Sequence, residues 1–345
     1  MTTPRIVTHD DYLLHDMGAG HPEQPDRLRA ISERLNADGL LKKVELVVPT
    51  EADPQLIELN HSLQLVERVR TLSEAGGGRI DADTAANAQS YHVALLSTGG
   101  VVDLARHAMK EGGSGFALVR PPGHHAEPGR SMGFCLFNNV AIAAEDLLKN
   151  YGAKRVAIID PDLHHGNGTQ ASFIGRSDVL YVSSHQYPYY PGSGHFSEVG
   201  TGEGEGYTVN IPLPPGQGDA EYLYLYRTIV APIVREFAPD VILVSAGFDS
   251  HAQDPLGGMK VTSAGFAGLT RLFLDLAEEC CGGRIVFALE GGYDLDGLAE
   301  AVSLSIGQMV GAAPVWKEEA PSKQISVYAR ELSQHFSKWW KGLRT

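Results

Sequence analysis

The sequence predicts an α/β fold built on a largely parallel sheet with helices on its faces. Two observations carry this expectation. Short apolar runs alternate along the chain with longer stretches of helical periodicity. The clusters of titratable residues fall just past the carboxyl ends of those runs, the edge where open parallel sheets bind ligands.

Taken in order, the apolar runs read as strands are Val44–Val48, Phe116–Val119, Val156–Ile159, Val179–Ser183, Val241–Ser245 and Ile285–Leu289, with Thr208–Ile211 a shorter one. Helices are expected near Pro25–Asn36, Val93–Glu111, Val140–Asn150, Asp219–Phe237, Ser263–Glu279 and Leu295–Val310. Asp219 is a credible N-cap, because apolar positions recur every three to four residues after it. Gly99 and Gly100 fall inside a helix, where they permit close packing. From Pro314 to Pro321 the chain turns polar. A last amphipathic helix follows, with Ile325, Tyr328, Leu332, Phe336 and Trp339 as its apolar stripe, expected to dock on the parent domain. Residues 1–345 thus read as one domain, with 314–345 a linker and helix packed on it.

Composition narrows the function classes. An apolar content of 43% and a charged content of 20% are those of a soluble protein with a sizeable core. No apolar run reaches the length of a membrane span, and the start lacks the apolar core of a signal peptide. Cys135, Cys280 and Cys281 give no disulfide framework, so a cytoplasmic setting is expected. A net charge of −14 argues against nucleic acid as a partner and mildly favours cationic ligands.

The most informative segment is Ile158 to Gln170. A buried apolar run breaks there into Asp160, Asp162, His164 and His165, then a glycine-rich turn. Burying such groups without an ion costs several kcal/mol. Either a divalent metal sits here or the loop is unusually well solvated. Asp249, at the end of another strand, could supply a third ligand and leave one position open, as in catalytic zinc sites. Asp254, before Pro255, looks like a turn former. His124 and His125 stand in tandem after a rigid turn and could carry a proton in both directions. Tyr293, after Gly291 and Gly292, could donate to a developing oxyanion. The glycine-rich piece Gly202–Gly206 is acidic and precedes a strand, so it is no phosphate loop.

Six ordered motifs, His21 to Leu28, Arg120 to His125, Gly133 to Cys135, Asp160 to Gln170, Ala246 to Asp249 and Glu290 to Tyr293, together resemble the histone deacetylase superfamily of zinc amidohydrolases, on its class II-like bacterial side. The resemblance runs from about Ile6 to about Gly311 and implies an arginase/deacetylase-like fold with a mostly parallel eight-stranded sheet. It also implies one catalytic Zn²⁺ on Asp162, His164 and Asp249. His125 would be general base and then acid, oriented by Asn167. His124 would be an electrostatic helper bonded to Asp160, and Tyr293 would polarise the acyl oxygen. Phe134, Tyr190, Leu256 and Gly133 would contact the acyl-lysine chain, and Arg27 would lie near an acetate exit. Structural K⁺ is implied at Asp160, Asp162, His164, Ser183 and Ser184, and a second at Phe173, Arg176, Val179 and Tyr207.

Two departures matter. Pro161 stands where an aliphatic residue is commoner in the family, and Leu256 stands where polyamine-specific relatives carry a glutamate. The expected function is hydrolysis of N-acetylated lysine side chains or similar acylated amines, with oligomers allowed for. The alternatives are an acetylpolyamine or other small-molecule amidohydrolase, a two-manganese ureohydrolase of the same fold, and a non-catalytic binding module.

Overall fold

The computed structural model describes residues 3–343. Its strands are β1 Arg5–Val7, β2 Glu45–Val47, β3 Gly77–Arg79, β4 Ala85–Asn87, β5 Ser114–Ala117, β6 Val156–Asp160, β7 Val179–Gln186, β8 Thr208–Leu213, β9 Val241–Ala246 and β10 Ile285–Leu289. Eight of them form one sheet in the order β2-β1-β5-β10-β9-β6-β7-β8, and β3 and β4 form a separate antiparallel pair. Every pairing in the large sheet is parallel. The expected sheet is therefore present, without an antiparallel member.

The helices are α1 Asp26–Ala37, α2 Pro54–Ile57, α3 Leu63–Glu74, α4 Ser90–Glu111, α5 Asn139–Asn150, α6 Asn167–Phe173, α7 Asp219–Leu225, α8 Ala231–Phe237, α9 Ser263–Cys281, α10 Leu295–Met309 and α11 Lys323–Phe336. The central strands β6, β7, β9 and β10 are buried along their whole length. That is why they read as unbroken Val/Ile/Leu runs rather than alternating ones. Gly99 and Gly100 sit mid-α4, where a side chain would collide with the Thr50 carbonyl or the Val7 side chain, so their packing role holds.

Two local expectations change. Residues 219–237 form one helical rod interrupted by a π-helical turn, Tyr226–Val230, which ends just before Pro232. Proline has no N–H to give the carbonyl four residues back, and a wider turn absorbs that loss. Asp219 is the first helical residue rather than the N-cap. Its carboxylate instead accepts from the Thr262 N–H and hydroxyl at the start of α9. No helix among the described residues is long and apolar enough to cross a membrane.

Candidate active site

The strand-end clusters lie on one edge of the sheet, and two of them meet at a single point. β6 ends in Asp160, and the turn after it carries Asp162 and His164. β9 ends in Ala246, three residues before Asp249. Asp162, His164 and Asp249 offer ligand atoms that all lie within 4.8 Å of one another. His164 Nδ1 stands 2.9 Å from Asp249 Oδ2 and 3.3 Å from Asp162 Oδ1. The other carboxylate oxygens are spoken for: Leu163 N–H donates to Asp249 Oδ1 and Gly291 N–H to Asp162 Oδ2. A side chain at Gly247 would overlap the Asp162 carboxylate, so glycine is required there for the two strand ends to close. Pro161 leaves both flanking carboxylates in place.

Asp160, Asp162 and Asp249 are fully buried, which removes the solvated-loop alternative. Burial, and then the neighbouring Asp162, push the Asp249 carboxyl up to about 7. Burial works against the His164 imidazole, but its bonds to Asp162 and Asp249 hold it at about 10. Without a cation the three groups must share protons to coexist. A donor set of two carboxylates and one imidazole, in enforced proximity and excess negative charge, fits a divalent ion.

Beside this set lie the tandem histidines. His125 Nδ1 is 2.8 Å from Asn167 Oδ1, and the Asn167 amide donates onward to Glu127 Oε1 at 2.8 Å. Burial, with His124 and His164 close by, holds His125 well below its ordinary value. His124 Nδ1 is 3.1 Å from Asp160 Oδ2. Burial opposes charge on His124, yet Asp162 and Asp160 outweigh it and hold the group well above its ordinary value. The turn bearing this pair is fixed by Glu290, whose carboxyl accepts from the Gly123 and His124 N–H groups.

Tyr293 reaches the same place from β10. Its ring meets Phe134 edge-on at 5.8 Å, and its N–H donates to Asp254 Oδ2 at 2.6 Å. Asp254 also accepts from Leu256 N–H. The turn-former reading of Asp254 is therefore correct but incomplete, since it also anchors Tyr293. Arg27 is fully buried behind the tyrosine, 5.1 Å from its ring, and donates to the carbonyls of Glu290 and Gly292.

His125, His164 and Tyr293 form part of the lining of a cavity of about 240 Å³, with Gly133, Phe134, Tyr190 and Leu256 around it. Gly133 has φ 55° and Phe134 φ 69°, and a side chain at Gly133 would overlap the His125 ring. Tyr190 stands edge-on to His125 at 5.1 Å. Two lining residues escaped the sequence reading, Asp83 and Tyr189. Asp83 follows the β3 region, which has no apolar signal. Tyr189 stacks on His164 at 5.7 Å and donates to the Leu256 carbonyl, and its only signal was adjacency to Tyr190. Glu127, next to the histidine turn, was also missed. A larger groove of about 480 Å³, lined by Glu111, Arg271 and Glu278, contains none of the residues singled out above.

The residues proposed for monovalent cations fall in two places. Asp160 pairs in register with Ser183 across β6 and β7; Ser183 Oγ is 2.9 Å from His185 Nδ1, and Ser184 Oγ is 2.8 Å from the Tyr226 hydroxyl. Phe173 ends α6 and Val179 begins β7. The Phe173 and Tyr207 carbonyls accept backbone bonds from Arg176 and Tyr181.

This architecture has counterparts among known proteins. The family model for the histone deacetylase domain matches residues 21–309. The chain belongs to the histone deacetylase family. It is 42% identical to a "Probable deacetylase" of Archaeoglobus fulgidus over 304 residues, covering 87% of this chain and 84% of that protein. It is 41% identical to human histone deacetylase 9 and 42% identical to histone deacetylase 15 of Arabidopsis thaliana, covering 88% and 90% of this chain. It spans only 34% and 56% of those two proteins. The crystal structure of the HDA15 HD domain superposes with a TM-score of 0.92 at 38% identity, covering 99% of this chain and 96% of that one. The fold is thus that of the histone deacetylases, a family that is generally metal-dependent.

Proposed function

We propose that this histone deacetylase family member is a zinc-dependent hydrolase of N-acetylated lysine side chains or similar acylated amines, releasing acetate and free amine. The observation that carries the reading is the meeting of Asp162, His164 and Asp249 beside His125 at an aromatic-walled cavity. Those three side chains would hold the ion. When bound, Zn²⁺ supplies Lewis acidity for the amide carbonyl and makes a water acidic enough to deprotonate near neutrality.

The protein's own groups do the rest. His125 Nδ1–H donates to Asn167, which leaves Nε2 toward the cavity as the acceptor of the attacking water's proton. His125 then returns that proton to the leaving nitrogen. His124, bonded to Asp160, keeps a positive charge close to the reacting carbonyl. Burial first, and then the Asp249 charge, hold the Tyr293 phenol well above its ordinary value, so it stays protonated and donates to the oxyanion.

Phe134 and Tyr190 flank the lysine stem, with Gly133 giving close approach. Leu256 offers no carboxylate at its own position for a distant ammonium, which favours acyl-lysine over acetylpolyamine, although Asp83 puts one carboxylate elsewhere on the cavity wall. Arg27 stands behind Tyr293, where acetate would leave. Asp160, Asp162, His164, Ser183 and Ser184 would bind one K⁺, and Phe173, Arg176, Val179 and Tyr207 a second. We further read the chain as one domain acting in the cytoplasm without membrane partners, and its net charge of −14 argues against nucleic acid as a partner.

Turnover of an acetyl-lysine peptide against acetylputrescine and acetylspermidine, on metal-quantified protein, tests this reading. Faster peptide hydrolysis is expected. Faster polyamine hydrolysis would replace lysine with the second substrate class.

A further inference from the structure

Tyr189 and Tyr190 stand on a segment, residues 187–200, that leaves β7 and returns toward β8 with no strand or helix of its own. A stretch of this length keeps one position only if its neighbours impose it. On its inner side they do. His165 Nδ1 lies 2.8 Å from Ser193 Oγ, and His185 Nε2 lies 2.8 Å from the Gly194 carbonyl. Glu198 accepts from the Gly194 and His195 N–H groups and, through its other oxygen, from the Gln170 amide.

On its outer side the support comes from α11 and from Trp339 and Trp340, which follow the end of the helix rather than continue its apolar stripe; all lie beyond the residues the family model matches. The His335 ring meets Phe196 edge-on at 5.2 Å. Val199 accepts from Gly206 N–H, and Gly206 is pressed under the Trp339 indole so closely that any side chain there would overlap it. Trp340 Nε1–H donates to the Gly206 carbonyl at 2.9 Å, and the Tyr328 hydroxyl donates to the Pro212 carbonyl on β8 at 2.8 Å. From Phe196 the ring contacts continue inward through His195, at 4.3 Å, to Tyr187, at 5.8 Å from His195.

We propose that the C-terminal helix is a positioning element for the substrate wall. The helix holds Phe196 through His335, the turn after it holds Gly206 through Trp339 and Trp340, and together they set where Tyr189 and Tyr190 stand over His164 and His125. The proposal rests on the reading of the cavity as the substrate tunnel. The residues read as metal ligands and Tyr293 hang from β6, β9 and β10, whereas α11 packs chiefly on the 219–237 rod and reaches β8 through Tyr328. Loosening the helix should therefore weaken substrate binding and spare the metal. A wall that holds the substrate stem away from the reacting atoms contributes uniform binding, and its loss is read as a higher KM at unchanged kcat.

The test uses the full chain with His335→Ala, Phe196→Ala and Phe196→Tyr, and with Val327→Ala as a control on an exposed position of the same helix. Metal content, amide exchange across residues 187–200, and KM and kcat on an acetyl-lysine peptide are read for each. In the two alanine variants metal content should hold, segment amides should exchange roughly tenfold faster, and KM should rise about fivefold with kcat nearly unchanged. Phe196→Tyr should restore both. Lowered Tm with unchanged segment exchange and unchanged KM would overturn the proposal and leave α11 as a cover for the β8 edge. Absence of turnover in the metal-loaded wild-type chain would remove the tunnel reading instead, and the exchange measurement would still decide the positioning claim.

Discussion

Tyr293 is held at three points: its N–H on Asp254, its ring edge on Phe134, and the Arg27 guanidinium behind. A residue fixed that tightly, and kept protonated by burial, suits an oxyanion donor. Tyr293→Phe should keep its metal and lose about 10²–10³ in kcat; near-normal turnover would take the phenol out of the mechanism. Asp249→Ala removes a ligand rather than a donor, so it should lose the metal itself, checked by metal analysis of the purified variant. At this scale the sequence was informative where chemistry is local. Asp160, Asp162, His164 and Asn167 lie between the end of β6 and the start of α6, so their meeting could be read from spacing alone. It was silent where a side chain acts across the fold. Glu127 and Asp254 are ordinary acidic residues until the structure places them on Asn167 and on the Tyr293 N–H.

Strands were legible where the mostly apolar run is at least four residues long, whether buried or, as at Val44–Val48 over the largely exposed β2, not. The strands β6, β7, β9 and β10 are buried throughout and stood out as apolar runs. β1 spans three residues and the β3–β4 pair is glycine-rich and polar, so neither gives a pattern. The helix α6 was hidden because its residues serve the site and its packing rather than an apolar stripe.

The join between these elements is sensitive to acid. The His61 Nε2 accepts from Asn138 N–H at the start of α5, while Nδ1 faces the Glu127 carbonyl, an arrangement that needs the neutral ring. Burial lowers this group from 6.5 to about 4. The unfolded chain therefore takes up the proton first, and the stability this group confers falls as pH drops from 6.5 toward 4. His61→Gln, which cannot be protonated, should lose on the order of 1–2 kcal/mol less than the wild-type chain between pH 7 and 5 in urea melts. Equal losses would show that the imidazole does not titrate as described.

At the scale of the molecule, the sheet gathers loops distant in sequence onto one edge, and that gathering was readable from where the polar clusters fall. What was not readable is how the edge is braced. The buried ion-paired layer of Glu23, Arg27 and Arg120 behind the site and the α11 contacts outside it appear only in three dimensions. Because Asp162 and Asp249 are buried close together, the folded chain without a cation carries a repulsion that a bound ion relieves. Chelation should therefore lower Tm, and metal at a hundredfold excess over Kd should raise it by the equivalent of about 2.7 kcal/mol. Hydrolysis by this chain should depend on one divalent ion held by Asp162, His164 and Asp249. This dependence is tested most directly by titrating zinc into the stripped protein while measuring acetate release from an acetyl-lysine peptide. No turnover is expected without metal, with a rate that climbs to a plateau at one ion per chain. Full turnover in the stripped protein, or a plateau reached only at two ions, would contradict it.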